Sequence, residues 1–253
     1  MPYIYETHLH TCQASRCGRA DGADYPDFMI SRGFSGFIVT DHFFNGNSAV
    51  PKELPWPERV AMYMSGYRAA LKASEGKEIS VFFGIEFNFE GDEYLLYGVG
   101  EKWLLDNPDM LSWSRRDLYD SVHAAGGILV QAHPYRERGY LSRITLTPGI
   151  CDGIEICNAA NPPCQNALAY EYAKKLGVPM TAGSDIHAFY DGPMGGMMFD
   201  RKLESVEDYA AELMAGHGTP VLLNGDKVIP VEDIPDQVTV STPPTLPVIT
   251  LDE

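Results

Sequence analysis

Short apolar runs alternate with longer amphipathic stretches along most of the chain. Seven apolar runs stand out, at residues 3–8, 36–42, 79–87, 93–100, 127–133, 153–158 and 179–185. Most are rich in β-branched or aromatic residues, as buried strands are. Between and after them the apolar spacing becomes helical, at 24–33, 57–75, 114–126, 164–177 and 205–215. Ser114 and Ser205 stand where N-caps belong, and Gly33, Gly126 and Gly177 where helices should stop. Strands alternating with helices predict an α/β fold with a parallel sheet. Seven such strands suggest a closed or nearly closed barrel. From Pro230 onward the chain carries five prolines and no helical period. The expected organisation is one barrel domain over 1–223. Residues 224–253 form a Pro-rich extended tail, not a separate domain, draped over the body or reaching a neighbour.

A length of 253 residues suits one such barrel. Charge narrows the choice of partner. The net charge is −16, from 19 basic and 35 acidic residues, so a large nucleic-acid surface is not expected. An acidic chain with several histidines fits a collector of divalent cations. The five cysteines, Cys12, Cys17, Cys151, Cys157 and Cys164, are odd in number and form no CxxC pair. They read as reduced thiols of a cytoplasmic protein. No basic stretch leads into an apolar one at the start, and no apolar run reaches the ~20 residues that span a bilayer. Neither GxxxxGK[ST], nor GxGxxG after a strand, nor GxSxG occurs.

The residues that carry chemistry gather at the predicted strand ends. His8 and His10 end the first strand, Asp41 and His42 the second, Glu86 the third, His133 the fifth, and Asp185 and His187 the seventh. α/β barrels place their chemistry at the C-terminal ends of strands. Residues two apart in a strand face the same side, so His8 and His10 converge, as do Asp185 and His187. Five imidazoles and the two carboxylates Glu86 and Asp185 crowded at one mouth would cost several kcal/mol in desolvation and repulsion. Cations remove that cost. The ligand mix suits Zn²⁺, Mn²⁺ or Fe²⁺.

The motifs HLHT, TDH, GIEF, QAHPYR and AGSDIH, in this order over most of residues 1–200, resemble those of the PHP (polymerase and histidinol phosphatase) domain family. The resemblance implies a distorted (β/α)7 barrel, two or three divalent metal ions, and hydrolysis of phosphoesters. By the same resemblance one metal takes His8, His10, Glu86 and Asp185. Glu86 bridges to a second metal held by His133, and a third takes His42 and His187. Two positions depart from the pattern. The stretch CQASRCGRADG lacks the family's further histidine, leaving Cys17 or Asp21 to substitute. On the strand after Glu86, Glu93 or Tyr94 stands near another family histidine.

A bound metal lowers the pKa of water from about 15.7 to ~7, which is what attack on phosphorus requires. His42 or His187 is a candidate to protonate the leaving oxygen, provided that the two are not both locked as ligands. Arg136 and Arg138, with Arg16 and Arg19 on the loop after the histidine pair, are candidates to fork onto phosphate oxygens. Asn158 and Asn161 can bind substrate or orient a ligand, and Glu155 points into the same region. Gly183 is expected to let the backbone pass close to the metals, and the glycines of 191–197 to form a flexible wall. His123 and His217 read as structural or exposed. The leading expectation is a metal-dependent phosphoesterase for a small phosphorylated metabolite: a nucleotide monophosphate, a bisphosphate, or a sugar or amino-alcohol phosphate such as histidinol phosphate. The alternatives are an amidohydrolase-like metal hydrolase on the same barrel and a non-catalytic metal-binding partner module. Homo-oligomerisation stays open.

Overall fold

The computed structural model describes residues 2–251. Each of the seven apolar runs forms a strand: β1 (Tyr3–Leu9), β2 (Gly36–Val39), β3 (Ser80–Phe89), β4 (Asp92–Tyr97), β5 (Ile128–Ala132), β7 (Gly153–Asn158) and β8 (Met180–Gly183). Five further strands were not anticipated: β6 (Ile144–Leu146), β9 (Met194–Phe199), β10 (Thr219–Asn224), β11 (Lys227–Pro230) and β12 (Val248–Thr250). The helices are α1 (Tyr25–Ser31), α2 (Trp56–Tyr63), α3 (Ser65–Ala73), α4 (Glu101–Asp106), α5 (Arg115–Ala124), α6 (Pro163–Leu176), α7 (Val206–Met214) and α8 (Pro235–Val238).

The fold is mixed α/β. Ten strands form one sheet in the order β11-β10-β9-β1-β2-β3-β4-β5-β7-β8. The sheet curls until the segment after β8 meets β1. There His10 N–H donates to Ile186 O at 2.9 Å, and Ile186 N–H to His8 O at 3.2 Å. This seam has no room for side chains. A Cβ on Gly183 would meet the His8 Cβ at 2.7 Å, and one on Gly195 would meet Gly183 O at 2.2 Å. Gly183 lets the backbone pass close to His8.

The sheet is not all parallel. β4 runs antiparallel to both β3 and β5. No helix separates it from β3. Instead Glu90 and Gly91 form a two-residue turn between the paired residues Phe89 and Asp92, with φ of 51° and 110°. Positive φ at both positions is the hairpin geometry that matches strand twist. Residues 194–199, expected in a flexible glycine loop, are instead β9, antiparallel to β1 and β10.

Helix ends follow local chemistry. Ser114 and Asp117 make a reciprocal capping box at α5, Ser205 caps α7, and Gly177 ends α6 in the left-handed region. The expected helix at 57–75 is two, α2 and α3, with the break at Met64. Just after it, Gly66 lies so close to Thr11 that a Cβ would sit 2.1 Å from its hydroxyl oxygen. The apolar helix faces bury against the sheet, Val60, Tyr63, Leu118 and Val122 on one side and Ala169 and Ala173 of α6 on another. Each large side chain so buried contributes about 1.5–3 kcal/mol.

The proline-rich C-terminal residues are structured along most of their length. The boundary expected at 223/224 falls in the β10–β11 hairpin. Beyond it, α8 packs beside α6, and β12 pairs in parallel with β6 as a second, two-stranded sheet.

Candidate metal centre

β1 supplies the floor of the site. Glu6 and His8 on β1 and His10 just beyond its end face inward, and all three are fully buried. His8 Nε2 lies 3.1 Å from Glu86 Oε1 and 3.6 Å from Asp185 Oδ1, and His10 Nε2 lies 3.0 Å from the same Asp185 oxygen. His133 Nε2 is 3.2 Å from Glu86 Oε1 and 3.5 Å from Glu93 Oε2. His42 Nδ1 is in direct contact with Glu86 Oε2. Ligand atoms within 4.8 Å of one another form four sets: His8, His10 and Asp185; His8, Glu86 and His133; His42, Glu86 and Glu93; His10, His42 and His187.

The strand positions differ in detail from the expectation. Glu86 lies within β3 rather than at its end, and His42, His133 and Asp185 lie just beyond β2, β5 and β8. His133 and Asp185 have φ of 29° and 55°, unusual for residues with side chains. Such backbone costs on the order of 1–3 kcal/mol and clusters at functional sites. Pairing also slips within β1 between Glu6 and Leu9, and between β7 and β8 near Glu155 and Cys157. Slips of this kind re-aim side chains.

Buried side chains fix the imidazoles from behind. His8 Nδ1 lies 3.0 Å from Glu155 Oε1, and the other Glu155 oxygen accepts the His133 N–H at 3.0 Å. His10 Nδ1 lies 3.1 Å from the Ser15 hydroxyl, which donates to Asp41 at 2.7 Å. A carboxylate or hydroxyl behind a ligating imidazole sets its tautomer and aim. Asp41 is therefore not a cavity residue. It binds Thr11 and Ser15, and burial pushes its carboxyl up to about 6. Glu6 accepts the His8 and Ser184 N–H groups, and burial pushes it up to about 7. Glu6 and Ser15 were missed in the sequence. Glu6 was legible, being two residues before His8 on the same strand face.

The electrostatics follow from crowding. Burial disfavours charge on His8, but Asp185, Glu155 and Glu86 outweigh it and hold the imidazole well above its usual range. Burial, with His42 beside it, pushes His10 down to about 3. Burial opposes charge on Glu86 and Asp185 too. His42 and His8 beside Glu86, and Arg136 and His8 beside Asp185, nevertheless keep both well below the carboxylate range.

Within the four sets, five buried atoms lie close to one another but make no aligned hydrogen bond: His8 Nε2, His10 Nε2, His42 Nδ1, Glu86 Oε2 and Asp185 Oδ1. Buried polar atoms left without a hydrogen bond cost about 1–3 kcal/mol each, and bound cations would satisfy all five. The residues present therefore fit a multinuclear metal site.

The two departures from the PHP pattern resolve differently. Because β4 is reversed, its first residues, not its last, sit at the rim. Glu93 faces His133 and His42, whereas the Tyr94 hydroxyl is buried against Asp92 and Thr147. Cys17 lines the cavity beside His42 and His187. Burial would raise its thiol, but hydrogen bonds to the two imidazoles bring it down to about 6. Asp21 caps a short helical turn through the Ala23 N–H, on the surface.

A cavity of ≈540 Å³ opens above these ligands, lined by Cys17, His42, His187, Arg136, Arg138 and Tyr140 among others. The arginines split. Arg16 and Arg19 are exposed and absent from the lining, because their loop turns the side chains outward. Arg138 lines the cavity, half-buried. Arg136 is bound into the wall: it meets Asp185 Oδ2 at 2.5 Å and donates to Asn158 at 3.0 Å and Asn161 at 2.8 Å. Asn158 is fully buried and also donates to Glu155, so it orients side chains and does not face the cavity. His123 and His217 lie elsewhere, against Asp152 and Glu212.

Residues 163–216 match the family model described as PHP-associated. The fold is similar to that of a two-domain protein from Bacteroides vulgatus containing a predicted PHP-like metal-dependent phosphoesterase. That pair shares 14% identity and a TM-score of 0.67 over 90% of this chain and 66% of that one. This chain therefore spans only part of that protein. A Bifidobacterium adolescentis protein assigned as a metal-dependent phosphoesterase gives 16% identity and a TM-score of 0.52, over 73% of this chain and 87% of that one. PsfC from Pseudomonas syringae gives 14% and 0.55, over 83% and 88%. No curated protein matches the chain. The family match covers this one segment, residues 163–216, and the solved neighbours share the fold.

Proposed function

We propose that the protein is a metal-dependent phosphoesterase acting on a small phosphorylated metabolite. The observation that carries this reading is the set of five buried ligand atoms, crowded together without an aligned hydrogen bond, below an open cavity. Two or three ions of manganese, zinc or iron suit the donors. One would take His8, His10, Glu86 and Asp185, a second Glu86, His133 and Glu93, and a third His42 and His187. Ions bound there would supply Lewis acidity toward phosphate oxygens and a water acidic enough to ionise near neutral pH.

The chain's own residues do the rest. Glu155 and Ser15 hold His8 and His10 in one orientation. Arg136 grips the far oxygen of Asp185 and so turns the near one toward the histidines. Arg138, at the cavity wall, is placed to meet a phosphate oxygen. With only two ions bound, His187, the least buried imidazole of the site, would be free to pass a proton to a leaving oxygen. The seven strands β1, β2, β3, β4, β5, β7 and β8 are read as the barrel of the family, with β4 reversed. Five free cysteines support a cytoplasmic setting.

The test is metal analysis of the purified protein together with phosphate release from a panel of phosphomonoesters, run beside an amide panel. Two to three ions per chain and release of phosphate are expected. Turnover of amides alone would move the assignment to the amidohydrolase alternative. Metal-loaded protein inert on both panels would leave only a binding module.

A further inference from the structure

The loop that carries Arg136, Arg138 and Tyr140 over the cavity is held in place by the C-terminal part of the chain. The loop leaves β5 at His133 and ends in β6. β6 does not join the ten-stranded sheet; among the described residues its strand partner is β12. Ile144 N–H donates to Pro247 O at 2.8 Å, and Leu251 N–H to Leu146 O at 2.9 Å. A second tie lies inside the loop itself. Glu137, between the two cavity arginines, accepts the Thr245 N–H at 2.6 Å and the Thr245 hydroxyl. Pro243, Pro244 and Pro247 restrict the backbone around this clip, so little freedom is lost in forming it.

The same segment reaches Arg136 from the other side. Asn166 on α6 donates to Gln237 Oε1 at 2.8 Å. Asn166 also accepts the Asn158 N–H at 3.2 Å and donates to Asn158 O at 3.1 Å. Asn158 in turn accepts from Arg136 at 3.0 Å. Two hydrogen-bonded routes from one C-terminal segment thus converge on one mouth loop. Tyr140, 77% exposed at the cavity edge, shows how little else covers that loop.

We propose that residues 237–251 are a strap that sets the position of the Arg136–Tyr140 loop, with Glu137, Thr245 and Gln237 as positioning residues for substrate phosphate. The proposal rests on the reading of the cavity as a phosphoester site. Arg136 keeps its own bonds to Asp185, Asn158 and Asn161 when the Glu137–Thr245 clip is cut, so the point variants act on anion affinity and not on the ions. A chain ending at Thr239 loses β12 and the clip but keeps Gln237 and its hold on Asn158.

The experiment compares the Mn²⁺-loaded full chain with Thr245→Val, Glu137→Ala, Thr245→Ser and the chain ending at Thr239. Inorganic phosphate is the binding probe, and trypsin, cutting after Arg136 and Arg138, is the probe of the loop. Thr245→Val and Glu137→Ala should raise the phosphate Kd and the phosphoester KM about fivefold, the scale of one net hydrogen bond. kcat should stay within about twofold and manganese content should be unchanged. Thr245→Ser should behave like the parent, and the shortened chain should show the largest change and the fastest tryptic cleavage. Unchanged phosphate affinity and cleavage in both point variants would overturn the strap, even if the shortened chain failed to fold. So would loss of manganese in parallel with affinity. A parent that turns over no phosphoester would instead remove the functional reading, while phosphate binding and trypsin still decide the strap.

Discussion

The inner wall of the cavity is built on strands and its mouth on a loop, and the two differ in how their polar atoms are satisfied. On the wall, His8, His10, Glu86 and Asp185 are buried, the two histidines are held from behind by Glu155 and Ser15, and all four still present atoms without an aligned hydrogen bond. At the mouth, Arg136 spends its donors on Asp185, Asn158 and Asn161. The wall is complete only with something added. The mouth is already complete and must trade an internal bond for any bond to substrate. An unsatisfied rigid wall favours tight, permanent occupants such as ions. A satisfied, surface-held mouth favours ligands that come and go.

This contrast can be broken most severely from within. His10→Ala or Asp185→Ala should remove turnover by on the order of 10³-fold or more, with loss of bound metal by elemental analysis and retention of the far-UV spectrum. Parent-like metal and rate in His10→Ala would mean that the ligands have been misassigned. Glu155→Gln keeps the shape but weakens the support behind His8. It should lower metal affinity about 10–100-fold by competition with a chelating dye. Chelation of the intact protein should lower Tm by about 5–10 °C, because a ligand at 100 times its Kd adds about 2.7 kcal/mol and a chain of this size shifts about 2–4 °C per kcal/mol. An unchanged Tm would show that the wall is satisfied without ions.

The smallest effect belongs to the mouth. Burial raises the Glu137 carboxyl, but its bonds to Thr245 and Leu246 bring it below its usual 4.5. A depressed carboxylate stabilises the fold above its unfolded pKa and loses that contribution as pH falls through the folded value. The clip should therefore be intact at neutral pH and loosen progressively below about 4.5, seen as faster cleavage of the loop by an acid-active protease. Glu137→Gln should abolish that pH dependence.

The wall was more legible in sequence than the mouth for a physical reason. Strand alternation has a period of two, so HLH and SDIH disclose which side chains converge without knowledge of the fold. Residues such as Ser15 and Glu155 act through contacts between distant segments, and spacing does not encode those. Arg136 was correctly brought to the cavity, but its role in holding Asp185 depends on a contact between two strand ends. The strands at 194–199 and 248–250 escaped because one is glycine-rich and the other proline-flanked, compositions that read as loop. Gly195 is there because the seam with Gly183 excludes a side chain. The reversal of β4 was readable in the two-residue Glu90-Gly91 spacing between apolar stretches, a hairpin signal that the alternation of strands with helices overshadowed.

That two-residue turn has a consequence for how the chemistry of the rim can vary. Strand register on β4 is counted from Glu90 and Gly91, and adjacent residues face opposite ways. Removing one residue between the turn and Glu93 would rotate Glu93 into the apolar layer and bring the Tyr94 phenol to its place opposite Asn88. The identity of one rim donor is thus governed by its distance along the chain from a turn that itself binds nothing.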